Sequence, residues 1–157
     1  GDAVTLVMRN HSPADESDIC AAVTESRDGG RTWAPAAESN LPLSTSKPYC
    51  GHLSTGQRYL VGNSVRGANH SRGHLTIAVS RPGEPQLSHL WLIRDAAVPA
   101  ALRPVYGYAE LQHLAYPHAE ERDGRLYVAY SAGPLPANQN SAELAVVPVE
   151  ELARLPR

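Results

Sequence analysis

The chain has 157 residues, a formal net charge of -2, 13 prolines, 12 glycines and two cysteines. That charge gives no basic field for nucleic acid, no apolar stretch reaches the roughly 18 residues of a membrane span, and two thiols are too few for a disulfide scaffold. The composition instead suits short strands punctuated by turns.

The first strand is predicted over Asp2–Arg9 and the second over Cys20–Ser26. Between the second strand and the next lies Ser26-Arg-Asp-Gly-Gly-Arg-Thr-Trp33. Asp28-Gly29-Gly30 is hairpin-turn chemistry, because glycine supplies φ > 0 and aspartate bonds nearby backbone N–H groups. Thr32 is placed to bond back across the turn, with the Trp33 indole packed under it. Strands follow near 48–53, 57–63, 74–80 and 90–94, with a turn at Arg81-Pro-Gly83. The Pro-, Ala- and Tyr-rich stretch from Ala96 to Gln112 reads as an inserted loop. Strands resume at Ala115–Glu120, Gly124–Ser131 and Ala142–Pro148, and Val149–Arg154 reads as a short helix opened by Glu150 and Glu151.

These strands repeat. Asp2, Gly56 and Gly124 each open a strand, and Cys20, His74 and Ala142 open the partner strands at the same two offsets. A period of roughly 50 residues with several short strands in each is the pattern of a propeller. The predicted fold is all-β: a partial β-propeller of about two and a half to three four-stranded blades, with units near 1–43, 44–95 and 113–149 and a short C-terminal helix. Residues 1–157 are expected to form the C-terminal part of one longer propeller domain.

In a propeller the first strand of each blade lines the central channel. That places Tyr49, His52, Tyr116, His118 and Glu120 near the axis, polar and aromatic residues that suit a solvated site. The remaining histidines, His11, His70, His74, His89 and His113, read as solvated. No H-x-x-x-H or clustered Cys/His spacing calls for a metal, and nothing calls for a cofactor. Cys20 and Cys50 read as buried free thiols, with a bridge between them left open.

The octapeptide fits S-x-D-x-G-x-T-W and resembles the Asp-box, or BNR repeat, of sialidase-like propellers. The segment from Tyr116-Pro-His-Ala-Glu to Tyr130 is similar to the sialidase segment that carries the nucleophilic tyrosine. The resemblance implies Tyr116 as nucleophile of an exo-acting glycosidase cleaving a terminal sialic acid or similar anionic sugar. A phenol of pKa about 10 needs activation, but it attacks beside a substrate carboxylate with less repulsion than Asp or Glu. In that family three arginines hold the carboxylate by their forked donors. Arg9, in Leu-Val-Met-Arg-Asn, and Arg72, just before His74, resemble two of them, with Arg66 as rival to Arg72. The family's first arginine, acid/base aspartate and activating glutamate would lie ahead of Gly1. Secretion or a periplasmic location also follows from the resemblance alone.

The pattern departs from the family at Tyr116-Pro-His, where sialidases run Tyr-Ser. His52 and His118 belong to no sialidase set. They suit a polysaccharide lyase, in which a His/Tyr pair moves a proton α to a uronate, or another glycosidase. A non-catalytic glycan-binding propeller is the third reading.

Overall fold

The computed structural model describes residues 3–10, 20–43, 46–64, 72–97, 101, 112–134 and 141–154. They form three antiparallel sheets. The first holds β1 (Val4–Met8), β2 (Cys20–Ser26) and β3 (Ala37–Pro42). The second holds β4 (Tyr49–His52), β5 (Arg58–Gly62), β6 (His74–Ser80) and β7 (Leu87–Asp95). The third holds β8 (Gln112–Arg122), β9 (Arg125–Pro134) and β10 (Ser141–Pro148), followed by α1 (Val149–Ala153). Each sheet follows chain order, as the blades of a β-propeller do. The second sheet has the expected four strands, whereas the first and third have three each among the described residues. In the third, β10 runs straight into α1 instead of turning into an outer strand.

The repeat holds at the level of pairing, with one slip. Thr5 pairs with Glu25 in the first sheet and Tyr59 with Val79 in the second, equivalent positions in both strands. In the third, Tyr127 pairs with Val146, one residue short of the equivalent Val147. A one-residue slip turns a strand's side chains over. Here it leaves Leu144 and Val146 exposed and turns Glu143, Ala145 and Val147 toward the second sheet. Glu143 accepts hydrogen bonds there from Arg94 Nε (3.2 Å) and the Tyr130 hydroxyl (2.9 Å), which fixes the slipped register.

Packing joins the sheets in order. Leu75, Ile77 and Val79 of β6 and Leu126 and Val128 of β9 belong to one buried cluster, which Val149 and Leu152 of α1 complete. A smaller cluster of Ala21, Leu43 and Leu60 joins the first sheet to the second. Burying each large aliphatic side chain contributes about 1.5–3 kcal/mol, so these two seams hold the three sheets as one body.

The Ser26–Trp33 turn forms as its residue types predict. Asp28 Oδ1 accepts from the Ser26 hydroxyl (2.7 Å), the Arg31 N–H (3.0 Å) and the Thr32 N–H (2.9 Å), and Oδ2 accepts from the Thr32 hydroxyl (2.7 Å). Gly29 and Gly30 take φ of 72° and 90°. The Trp33 indole lies against the turn as expected, its N–H bonding the Gly30 carbonyl, and the ring stays 42% exposed. Neither cysteine is in a disulfide; Cys20 is buried and Cys50 exposed. Cys50 lies on the face of β4 turned away from Tyr49 and borders an open groove, so only one of the two thiols is buried. Among the described residues, no helix is long and apolar enough to cross a membrane.

Candidate active site

Strands β4 and β8 are the facing edge strands of their sheets, and their residues meet in rungs. Lys47, just before β4, lies over the Tyr116 ring with Nζ 5.8 Å from its centroid. Two residues along both strands, Tyr49 meets His118 edge-on, with ring centroids 4.6 Å apart and planes at 83°. At the far end Ser54 donates through its N–H (2.8 Å) and hydroxyl to the Glu121 carboxylate.

Tyr116 owes its position to a β-bulge. Ala115 pairs with Ser131 and His118 with Ala129, so Tyr116 and Pro117 together oppose the single residue Tyr130. Proline has no N–H to give a ladder and is tolerated at such a point. Tyr116 has φ of 54°, a left-handed conformation that is an outlier for a bulky side chain and costs about 1–3 kcal/mol. The kink leaves its ring 49% exposed between two buried neighbours, Ala115 and Pro117. The Tyr-Pro-His run, unusual beside the family pattern, is thus a device that aims one phenol outward.

Two further cations converge on that phenol. The Arg72 guanidinium carbon is 5.4 Å from the ring centroid. Hydrogen bonding to Arg72 and its charge hold the Tyr116 hydroxyl below the ordinary phenol range; burial opposes them, and Arg9 adds a weaker push downward. Arg72 is itself fixed through its carbonyl, which accepts from the Leu114 N–H at 2.9 Å, two residues before Tyr116. The arrangement sets a phenol oxygen inside a cationic rim with the Tyr49/His118 pair beside it.

Of the residues singled out in the sequence, Arg9, Arg72 and Tyr116 meet at one place, and Tyr49 and His118 adjoin it. His52 does not. It lies with Cys50 on the opposite face of β4, lining a groove of about 430 Å³ with Ala3, Val4, Arg58 and Pro85. Side chains alternate along a strand, so Tyr49 and His52, three residues apart, cannot share a face. Glu120 is exposed on β8. Arg66, His11 and His70 lie outside the described residues. Sequence reasoning missed Lys47. Its signal was the spacing Lys47-Pro48-Tyr49, which puts it on the same face as a tyrosine already chosen. Among the described residues, no group of three or more His, Cys, Asp or Glu side chains is arranged to hold a metal.

The chain is similar in fold to the α-L-arabinanase of Penicillium chrysogenum solved with arabinobiose, with a TM-score of 0.61 and 16% identity over 93% of this chain and 42% of that one. It is also similar to a GH43_12 protein retrieved from a capybara gut metagenome, with a TM-score of 0.56 and 13% identity over 93% of this chain and 26% of that one. The chain therefore spans less than half the length of either structure. A comparison with curated proteins gave no match. The profile of the family described as BNR repeat-like domain matches residues 1–129, most of the length, and the chain belongs to that family.

Proposed function

We propose that the chain forms one side of the catalytic propeller of a carbohydrate-active enzyme, an exo-acting glycoside hydrolase of sialidase type. The observation that carries this reading is the convergence of Arg72 and Arg9 on the outward-kinked Tyr116. The fold likeness to an arabinanase and a GH43 protein supports a propeller built for glycans. Arg9 and Arg72 would hold the carboxylate of a terminal anionic sugar. Tyr116 Oη would attack the anomeric carbon as the bond to the aglycone oxygen breaks. The phenol proton would pass to a base, the departing oxygen would take a proton from an acid, and water would then release the sugar from tyrosine. The sialidase resemblance makes that base a glutamate and that acid an aspartate. A low phenol pKa suits the nucleophile, since less of the proton's removal is left to the base.

A second reading has its own observation. The Tyr49–His118 contact is a phenol and an imidazole side by side, the pair a lyase uses to remove a proton α to a uronate and protonate the leaving oxygen.

The test is release of a fluorescent aglycone from an α-sialoside by the complete protein and by its Tyr116→Phe form. The hydrolase reading expects a loss of about 10³-fold or more in kcat on removing that hydroxyl. Absence of turnover in the wild type, with unsaturated products from a uronate polysaccharide, would move the assignment to a lyase.

A further inference from the structure

Resting on the anionic-sugar reading above, we propose that Lys47 is a specificity-determining residue of this site: a third cation that contacts the acidic group of the ligand and sets the preference for acidic over neutral sugars. The geometry is the first support. Lys47 and Arg72 both lie over the Tyr116 ring, at 5.8 and 5.4 Å from its centroid. The ring faces of a phenol attract cations, so the Tyr116 ring gathers both charges beside it.

The second support is the anchoring of Lys47. Ser46 before it is fully buried. Pro48 after it packs where a Cβ at Gly62 would stand, 3.5 Å from its own Cβ. A proline also restricts the preceding residue to extended backbone. The exposed Lys47 side chain thus leaves the chain from a fixed point between two packed neighbours, unlike a lysine on a loose surface loop.

The third support is charge. The ion pairs among the described residues are made by Arg94, Arg122 and Arg154, and none engages Lys47, Arg9 or Arg72. Among the described residues the rim is therefore three cations without a carboxylate counterpart, an arrangement that a ligand carboxylate would neutralise. The two guanidinium forks match a planar carboxylate, and the lysine adds a compact point charge.

The experiment is isothermal titration calorimetry of the complete protein with N-acetylneuraminic acid, D-galacturonic acid and L-arabinose. Wild type, Lys47→Met, Lys47→Arg and Arg72→Met are compared, with thermal melts as a check on folding. Losing one charge-assisted contact is expected to weaken binding of the acidic sugar about tenfold or more in Lys47→Met. Lys47→Arg should restore most of it, and any binding of L-arabinose should not change. Wild-type affinity of Lys47→Met for the acidic sugar, alongside a loss in Arg72→Met, would overturn the role of Lys47 and leave the anionic-sugar reading standing. Binding of D-galacturonic acid alone, weakened in Lys47→Met, would keep the role of Lys47 and overturn the sialidase reading. Failure of both acids to bind the wild type would overturn both.

Discussion

The guanidinium carbon of Arg72 stands 5.4 Å from the centroid of the Tyr116 ring, and Arg72 is the main reason the phenol of Tyr116 is unusually acidic. Among the described residues, the other tyrosines with a resolved shift move the other way. Tyr59 and Tyr130 are pushed up to about 12, first by burial. Tyr116 should therefore ionise ahead of both as pH rises. A phenol whose folded pKa is depressed adds stability that is full above its unfolded pKa and is lost as pH falls through the folded one. Spectrophotometric titration should show an early phenolate step that disappears in Tyr116→Phe and moves to higher pH in Arg72→Met. An unchanged early step in Arg72→Met would break the link between the two residues.

The Ser26–Trp33 turn gives a second pH prediction with a different window. Hydrogen bonds, first from the Thr32 hydroxyl, lower the Asp28 pKa from 3.8 to about 2. Its contribution is present above the unfolded value and is lost as pH falls through about 2. Trp33 fluorescence, read in a Trp91→Phe background, should hold steady down to pH 4 and change only below it. Asp28→Asn should abolish that transition. Ser26 is 1% exposed and its Oγ also accepts from the Gly30 N–H at 2.8 Å, so Ser26→Ala should cost about 1–3 kcal/mol in denaturant unfolding.

These two sites were legible in the sequence to different degrees. The turn was legible because its bonds are local: Ser26, Asp28, Thr32 and two glycines carry the geometry. The hairpin strands were legible because Gly56 and Asp123-Gly124 announce turns, and Asp123 and Gly124 take φ of 50° and 71°, as a tight two-residue hairpin requires. Tyr116, Arg9 and Arg72 could be named from motifs, but their meeting depends on how sheets pack. Alternation along β4 already separated His52 from Tyr49. Which of the two faces the third sheet was decided by the Tyr49–His118 contact, between residues far apart in the chain. The slip of β10 was illegible for the same reason, since Glu143 finds Arg94 only in the folded molecule.

Gly51 tests the fit of the inner strand. A Cβ there would stand 2.6 Å from the Tyr59 hydroxyl oxygen and 2.7 Å from its Cζ. Tyr59 is 5% exposed and belongs to the main core cluster, so its ring has no room to retreat. Gly51→Ala should destabilise by about 1–3 kcal/mol. Gly73→Ala is the control, because a Cβ there meets nothing within 4 Å. It should change stability by less than about 0.5 kcal/mol. Equal losses in the two variants would show that the contact with Tyr59 is not the cause.

Gln57 makes the sharpest structural prediction. It is fully buried, and its Nε2 donates to the carbonyls of Ser80 (2.8 Å) and Leu152 (3.1 Å). Its Oε1 accepts from the Thr55 hydroxyl at 2.8 Å. One side chain thus ties the end of β6 to α1. A helix of five residues cannot persist alone, since isolated helices below about 12–15 residues are marginal in water. Docking of Val149 and Leu152, both nearly inaccessible, must hold it, together with the bond from Gln57. Gln57→Leu keeps the volume but leaves two buried carbonyls without their donor, at a cost of about 2–4 kcal/mol. The loss should be uneven. Hydrogen exchange at the Arg154 amide, which donates to Glu150 and Glu151, should accelerate first, while the β5–β6 ladder keeps its protection. Uniform acceleration across both would mean that Gln57 supports the whole sheet and not the helix in particular.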